Sequence, residues 1–457
     1  MFPALLNRGP TLITSLVLGI FLIHTFPWGC IASAEPVTPE SESIPSDPWY
    51  TDIEAEWGGQ IRFRASTSWP DDESFFRLVG TDSYEDGSAE FRLKNKLFFG
   101  NWGYFETHYE AVLAAGDTRE RTQQLTELFP AFFEDSVLLA GPIDDDRRLL
   151  DLTTTLTDTD LHILYNRLDR LSLTLLPEWG TVRIGRQVIT WGNGLLFNPM
   201  DLFNPFAPTD IERDYKVGDD MVTTQFPVRQ FGDFQFLYVP RRDPESRDVE
   251  WNESSLAGKF HFAAGTTEFD LMGARHFEDH VVGIGGMGYL WDAAWRMDAT
   301  WTFLDENSDN DDYLSFVANI DYSWVWWQKN FYGLIEFYYN GLGEEDYIEA
   351  LLDPDIVERL DRGELFVLGR SYLSGQLQME VHPLVNVFFG VINNLDDPSG
   401  VIQPRLVWNV AEDFDLTVGA NILYGEEGTE FGGIEIPFTD LLIKGSDSAF
   451  IWLTYYF

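Results

Sequence analysis

The sequence contains a single cysteine, Cys30, close to its start. Arg8 and an uncharged apolar run over 12–26 precede it, and small residues ending at Ala34 follow it, which is typical of a secretory signal peptide. Cleavage after Ala34 would leave a mature chain without cysteine, and this excludes disulfides, thiolate zinc sites and iron–sulfur clusters. A lipoprotein signal at Cys30 is the alternative, but the Pro-Trp pair before it suits that cleavage badly.

Basic residues are also scarce. The 457 residues include 30 lysines and arginines against 75 aspartates and glutamates, a formal charge of −45. Such an excess repels nucleic acid, so we expect no nucleic-acid partner. Strong acidity alone would suggest disorder, but 16 tryptophans and 15% aromatic residues argue against it. After the leader no run of about 18 uncharged apolar residues occurs, which excludes a helical membrane protein.

From Trp57 onwards apolar and polar residues alternate with a period of two, as in strands that have one apolar face. In WGGQIRFRASTSW, residues 57–69, tryptophans end the apolar set, and the other set carries Arg62 and Arg64. Twelve steps of about 3.4 Å at a tilt near 45° span roughly 28 Å, close to the apolar band of an outer membrane.

Eighteen segments of this kind can be counted. They are 57–69, 87–100, 103–115, 160–177, 181–191, 219–226, 232–240, 255–264, 267–277, 281–291, 293–304, 313–326, 331–340, 365–381, 384–393, 401–410, 414–424 and 448–457. Short links alternate with longer loops, the longest at 116–159, 192–218, 341–364 and 425–447. Short turns on one side and long loops on the other are typical of bacterial transmembrane β-barrels.

The predicted fold is therefore all-β: a single-domain, transmembrane, antiparallel, up-and-down β-barrel of about 18 strands over 56–457. A signal peptide over 1–34 and a flexible periplasmic lead over 35–55 are expected to precede it. The chain ends in FIWLTYYF, which resembles the signal read by the barrel assembly machinery of the outer membrane. The predicted location is the bacterial outer membrane, with its lipid and lipopolysaccharide as partners.

If the apolar faces meet lipid, the charged residues on the opposite faces line the lumen. This predicted pore-lining set comprises Arg62, Arg64, Arg92, Lys94, Lys96, Glu106, Glu110, Lys259, Arg296, Asp298, Asp321, Arg370, Glu380 and Arg405. Five of its cations lie on the first two strands and should form one basic wall that binds passing anionic groups. The other interpretation is that these charges only pair with one another and hydrate, as in any barrel interior.

Motifs for metal or nucleotide chemistry are weak. DENSDNDD, residues 305–312, places Asp305, Asn307 and Asp309 at a spacing that suits calcium, but it lacks the glycine and distal glutamate of an EF-hand. A solvated acidic loop is preferred there, and also at HFEDH, residues 276–280, over a metal site. GIGGMG has no helix after it, so it predicts a glycine-rich strand. Without a local catalytic pattern, we expect neither a cofactor nor an enzyme.

VRIGRQVITWG, residues 182–192, resembles the GRQ…G strand of porin-like outer-membrane proteins, including the alginate-export group of eighteen-stranded barrels. In that group lumen arginines bind an acidic polysaccharide, and loops folded into the barrel control passage. The resemblance implies that Arg183 and Arg186 line the pore here.

Strict alternation, however, puts Arg186 on the same face as Ile184, which is the lipid face. A β-bulge at Gly185 would resolve this, because glycine permits the extra step. Such a bulge would turn Arg186 inward and send Ile189 and Trp191 outward.

The loop over 192–218 is too apolar for an ordinary surface loop and too rich in Gly, Asn and Pro for a helix. The tripeptide FNP occurs twice in it, each time giving a proline-set turn that projects an aromatic ring. Exposed to water, its apolar residues would form a costly patch. We therefore predict that it folds into the barrel mouth as a constriction, with a surface interaction patch as the alternative. The constriction residues are Leu196, Phe197, Met200, Phe203 and Phe206.

The predicted function is a passive or weakly selective channel for small polar or anionic solutes, narrowed by loop 192–218. One alternative is a dedicated conduit for an acidic polysaccharide or a hydrophobic substrate. Another is a barrel that serves as a scaffold for a partner protein.

Overall fold

The alternating segments form β-strands in the computed structural model, which describes residues 53–80, 82–128, 145–209, 216–229, 231–306, 308 and 310–457. The strands are β1 (Ile53–Trp69), β2 (Tyr84–Phe99), β3 (Gly103–Gly116), β4 (Thr153–Asp158), β5 (His162–Leu175), β6 (Thr181–Gln187), β7 (Asp219–Val228), β8 (Gly232–Arg242), β9 (Val249–Ala264), β10 (Thr267–His276), β11 (Asp279–Leu290), β12 (Ala293–Phe303), β13 (Tyr313–Trp326), β14 (Lys329–Asn340), β15 (Ser371–His382), β16 (Val385–Asn394), β17 (Gly400–Ala411), β18 (Phe414–Tyr424), β19 (Ile434–Glu435), β20 (Leu442–Ile443) and β21 (Asp447–Tyr456). The helices are a 3₁₀ helix (Phe75–Leu78), α1 (Asp117–Leu128), α2 (Tyr347–Leu352) and α3 (Pro354–Asp361).

All strands except β4, β19 and β20 pair antiparallel in one ring. The last of them, β21, pairs with both β18 and β1, so the ring has no free edge. This confirms the predicted single-domain barrel of eighteen strands, and each of the eighteen predicted segments overlaps one of them. The largest boundary errors are at β9, which begins at Val249, and at β15, which begins at Ser371, and each differs from the predicted start by six residues.

The short turns lie at one end of the barrel and the long connections at the other. β1 and the last residue meet on the short-turn side, where Gly59 N donates to Phe457 O at 2.8 Å and Phe457 N donates to Gly59 O at 3.1 Å. β1 already begins at Ile53, within the predicted lead. The predicted signal peptide and the lead up to residue 52 lie outside the described residues. Among the described residues no helix is long and apolar enough to cross a membrane.

One piece of the wall comes from a loop. β6 is short, and β4 pairs with the part of β5 that β6 does not reach, for example Thr153 with Arg167. Just before β4, Arg148 forms a bridge with Arg241 of β8, and Arg147 O accepts from Arg242 N at 2.9 Å. Residues 147–158 therefore complete the barrel wall above β6 and β7.

Two long connections are central to the interior, and we name them here. The inner loop is residues 188–218, between β6 and β7. The outer cap is residues 341–370, between β14 and β15, and it contains α2 and α3. The apolar side chains of the cap pack together with Ile434 of the β19–β20 hairpin on the long-loop side.

Candidate functional site

The inner loop crosses the barrel interior. It leaves the wall at β6, yet its backbone is bound by side chains of β12 and β14, and Thr209 O accepts a hydrogen bond of 3.0 Å from Gln403 of β17. In a ring of eighteen strands β6 and β14 are eight positions apart, where nine would be diametrically opposite. A loop that spans this separation must pass through the lumen.

Glu336 of β14 is the main anchor of the inner loop. Its carboxylate accepts hydrogen bonds from three successive backbone amides, Leu195 N at 2.8 Å, Leu196 N at 2.9 Å and Phe197 N at 2.7 Å. Asn319 of β13 donates a fourth at 3.0 Å. The glutamate is 0% exposed, and charge-assisted bonds of this kind are about twice as strong as neutral ones. The loop backbone is thus fixed to the wall opposite its origin.

Asp298 of β12 provides a second anchor. It accepts from Asn193 N, from Gly194 N at 3.1 Å and from Asn193 Nδ2 at 2.8 Å. The preceding Gly192 has φ +87°, and a Cβ there would lie 2.2 Å from Asn198 Oδ1. Only glycine fits this turn, which aims the following amides at the carboxylate.

The apolar residues of the inner loop pack against apolar inward-facing residues of the wall. Trp191, Met200 and Phe203 are buried in one cluster with side chains of β7 to β11. Phe197 stacks on Tyr338 of β14 with ring centroids 4.3 Å apart. The predicted outward orientation of Trp191 is therefore wrong, because β6 ends before it and the chain turns into the lumen.

The structure places all five predicted constriction residues inside the barrel. Phe197, Met200 and Phe203 are buried, and Leu196 packs beside Phe197 on β13 to β17. The Phe206 ring lies under Lys216, whose Nζ is 4.8 Å from the ring centroid. Lys216 forms an ion pair with Asp201. Burial raises the pKa of the Asp201 carboxyl to about 7, although the neighbouring ammonium opposes this shift.

Inward-facing cations concentrate on β1, β2, β5 and β6, across the barrel from β12 and β14, which anchor the inner loop. We call this set the basic wall: Arg62, Arg64, Arg92, Lys94, Lys96, Arg167, Arg170 and Arg183. Four carboxylates lie among them: Glu90, Glu106, Glu110 and Asp169. Glu56 of β1, directly opposite Lys96, adds a fifth carboxylate, and the eight cations still exceed the carboxylates in this part of the lumen.

Many of these charges are paired across the strands. Glu110 accepts from both Arg92 and Arg167, and Arg64 Nη2 lies 3.2 Å from Glu90 Oε1. Lys96 instead lies over the ring of Tyr104 at 4.3 Å. The cations are therefore held in place by the wall itself.

The two arginines of the GRQ segment differ in environment. Arg183 donates to Thr174 Oγ1 at 3.0 Å and to Tyr104 OH at 2.7 Å, within the basic wall. Arg186 is 1% exposed and forms ion pairs of 3.0 Å with Asp220 and with Asp145. The structure thus buries Arg186 in the barrel wall instead of in the pore lining that the resemblance implied.

The predicted bulge at Gly185 is wrong, because the pairings of β6 with β5 and β7 run through Gly185 without a register shift. Gly185 has φ +117° instead, and a Cβ there would lie 2.2 Å from Leu171 O. The extra residue is Asp169 in β5, since Arg170 and Leu168 pair with consecutive residues of β3. The bulge therefore lies on the neighbouring strand β5 and not on β6.

Asp145 completes the buried cluster around Arg186. Burial acts against its ionisation, but the hydrogen bond from Arg148 and the charge of Arg186 hold the pKa of Asp145 at about 2. Arg186 Nη2 also donates to Leu150 O at 2.6 Å. This cluster joins residues 145–150 to β6 and β7 and so closes the wall where β6 ends.

The remaining predicted pore residues are scattered. Arg296 pairs with Asp321 on β12 and β13, and Lys259 Nζ lies 3.2 Å from Asp270. Arg405 lies over the Phe388 ring at 4.3 Å. Arg370 and Glu380, the two remaining predicted residues, lie away from these side chains. Arg370 lies outside the strands and donates to Gly343 O in the outer cap, and Glu380 accepts from Asn330 near the short-turn end.

The described part of the chain brings together no group of three or more histidine, cysteine, aspartate or glutamate residues that could hold a metal. Asn307 and Asp309 of the calcium hypothesis lie outside the described residues, and Asp305 N donates to Asp279 Oδ1. In the HFEDH segment, His276 contacts Glu364 of the outer cap at 3.1 Å.

Glu336 was missed as a functional residue by sequence reasoning. Its signal was a single acidic residue in the otherwise apolar and aromatic segment FYGLIEFYY. An isolated carboxylate on the inward face of such a strand needs buried hydrogen-bond donors, and here the loop supplies them.

Similarity to known proteins is confined to structure. No protein-family model matches the chain, and no curated protein matches it. The structure is similar to OccAB2 of Acinetobacter baumannii, with 9% sequence identity, 90% of this chain and 99% of that chain covered, and a TM-score of 0.50.

Two other solved structures are similar over most of the chain. For Wzi, an outer-membrane protein involved in group 1 capsule assembly in Escherichia coli and a carbohydrate-binding β-barrel, the values are 10% identity, 87% and 83% coverage and a TM-score of 0.50. For a BenF-like porin from Pseudomonas fluorescens the sequence identity is 10%, the coverage is 89% of this chain and 98% of that chain, and the TM-score is 0.47. The chain thus has the fold of an eighteen-stranded outer-membrane β-barrel.

Proposed function

We propose that the protein is a passive channel for small polar and anionic solutes. The observation that carries this proposal is the inner loop, which is fixed across the lumen by Glu336 and Asp298 and faces a wall rich in cations. A loop held in this way narrows a barrel without filling it, so that solutes pass beside it.

The passage is expected to be off-centre. At the level of the inner loop, the inward-facing side chains of β7 to β11 pack against Trp191, Met200 and Phe203, which leaves little wet surface for a polar solute there. The basic wall lies on β1, β2, β5 and β6, where arginine and lysine side chains offer hydrogen bonds to carboxylates and phosphates. Its excess of cations raises the local concentration of anions.

A conduit for an acidic polysaccharide is the second candidate. Arg62, Arg64 and Arg92 lie on adjacent strands and continue to Arg167 and Arg170 on β5, which provides several cation sites along one wall. A polymer that occupies this wall would block small-ion current from one side. The same recording distinguishes the two candidates, because a small-solute channel is not blocked at low polymer concentration.

Planar-bilayer recording under a KCl gradient tests the proposal. We expect an ohmic conductance with a reversal potential that indicates anion preference. The variant Arg64→Gln/Lys96→Gln should move the reversal potential towards cation preference, because both cations face the lumen. Arg77→Gln is the matched control, since Arg77 lies in the 3₁₀ helix outside the barrel strands and pairs with Asp72 and Asp82.

A silent protein would contradict the channel proposal. Cation preference in the natural sequence, or an unchanged reversal potential in the double variant, would contradict the role of the basic wall.

A further inference from the structure

A cavity of about 130 Å³ lies between the inner loop and the outer cap, away from the basic wall. The inner loop contributes residues of 190–208 together with Lys216, β14 contributes Tyr338, and the cap contributes 364–367. A volume of this size is close to that of buried cavities that bind a single benzene ring.

The lining of this cavity is mostly apolar, although the side chains of Asn198 and of Glu364, which pairs with His276, also line it. Its apolar part comprises Leu195, Leu196, Phe197, Pro199, Pro205, Phe206, Pro208, Leu365, Phe366 and Val367. The polar end is formed by Lys216, Asp201 and Thr190. Lys216 is 8% exposed and Asp201 3%, and Lys216 Nζ donates to both Asp201 and Thr190 Oγ1. Because this ion pair is buried beside apolar side chains, the charge of a ligand strongly affects whether it binds in the cavity.

Lys216, the cation of this lining, is paired with Asp201, and the Glu364 carboxylate also lines the cavity, so an anionic ligand is disfavoured. A carboxylate would place a second negative charge beside Asp201 and would lose its hydration, which is costly in a buried site. A hydroxyl group can accept a hydrogen bond from the Lys216 ammonium and donate one to the Asp201 carboxylate. A purely apolar ring would leave the polar groups of this end without a new partner.

We propose that this cavity binds a small, neutral, monocyclic compound that carries one hydroxyl group, with phenol as the simplest example. The ring would contact the three prolines and Phe206, and the hydroxyl would lie at the Lys216–Asp201 pair. Such a ligand touches both the inner loop and the outer cap and so holds them together. The proposal does not depend on ion conduction, because binding and conductance are measured separately.

Fluorine NMR on the detergent-solubilised full chain tests the site with para-fluorophenol as the probe. Fluorobenzene and para-fluorobenzoate are the matched apolar and anionic probes. We expect saturable line broadening for para-fluorophenol and an affinity about threefold to tenfold lower for fluorobenzene, which lacks one hydrogen-bonding group. We also expect para-fluorobenzoate to bind more weakly than para-fluorophenol. Partitioning of the probes into micelles is distinguished by its failure to saturate.

Three variants connect the signal to this cavity. Phe366→Ala removes a ring that lines the cavity and is 36% exposed, and it should weaken para-fluorophenol binding. Phe438→Ala is the matched control, because Phe438 lies at the tip of the β19–β20 hairpin, is fully exposed and does not line the cavity. Asp201→Asn leaves Lys216 without its paired carboxylate and should reverse the preference towards para-fluorobenzoate.

Heat-modifiable migration in gels shows that each variant retains its folded barrel. The proposal is overturned if no probe saturates, if Phe366→Ala and Phe438→Ala bind alike, or if para-fluorobenzoate binds best to the natural sequence. It is also overturned if a folded Asp201→Asn variant keeps the original order of probes.

Discussion

The substitution Glu336→Gln should release the inner loop while the barrel remains closed. The carboxylate accepts four hydrogen bonds, three from Leu195, Leu196 and Phe197 and one from Asn319. A glutamine keeps one acceptor oxygen and turns its NH₂ group towards the other two donors. Each lost charge-assisted bond costs about 1.5–3 kcal/mol, so the anchor weakens by about 3–6 kcal/mol. The ratio of anchored to released loop then falls by on the order of a hundredfold or more.

Two measurements report this release. Single-channel recording should show a larger and noisier open-channel current, because the loop no longer holds a fixed position across the lumen. A Leu196→Cys reporter should react faster with a maleimide in the Glu336→Gln background, since the described residues contain no other cysteine. Heat-modifiable migration should be unchanged, because the backbone pairing of β14 does not depend on this side chain.

Glu380→Gln is the matched control for this experiment. Glu380 is an acidic residue on β15, the strand next to β14, and it accepts a hydrogen bond from Asn330 of β14 rather than from the inner loop. The anchoring role of Glu336 would be refuted by equal maleimide rates in the two variants. Conductance that stays at the natural level in Glu336→Gln would refute it as well.

Three further predictions concern the buried cluster in the wall. Arg186→Met should destabilise the barrel by about 3–5 kcal/mol in urea titrations, because it leaves Asp220 and Asp145 buried without their cation; adding Asp220→Asn should restore part of the loss. The pKa of Asp145 is about 2 against 3.8 for the free group, so its ionised form contributes about 2 kcal/mol to the free energy of unfolding. This contribution is present above pH 4 and is lost as the pH falls towards 2. In Asp145→Asn the free energy of unfolding should therefore depend less on pH between 4 and 2. Gly185→Ala should lower stability by about 1–3 kcal/mol or more in the same titration, because alanine disfavours φ +117° and its Cβ would meet Leu171 O.

The barrel could be predicted from the sequence because its signal is local. In segments such as 293–303, apolar and polar residues alternate because one face of the strand meets lipid and the other meets the lumen. The lengths of the connections distinguish the two ends of the barrel. The strand β4 was not predicted, since TTTLTD is short and mainly polar and pairs only with the upper part of β5. Its place in the wall depends on where β6 stops, and no local pattern encodes that.

The interior was predictable in part. The apolar character of residues 195–206 was sufficient to indicate a loop folded inside, because water would make that surface costly. The partners of the loop were not predictable, since Glu336 is separated from Leu195 by 141 residues in the chain. The partners of Arg186 were equally impossible to predict from the sequence. Its conflict with strict alternation was visible at Gly185, but its partner Asp145 comes from a distant loop.

Glu336, the main anchor of the inner loop, binds backbone amides of the loop and not its side chains. Glu336 holds the amide groups of Leu195 and Leu196, and any residue other than proline supplies an amide. The side chains at these two positions can therefore change in evolution, or in engineering, without loss of the hold on the loop. Variation there would alter what a solute meets while the scaffold keeps its shape, so a set of channels with different preferences could arise from this one framework by substitutions at 195 and 196.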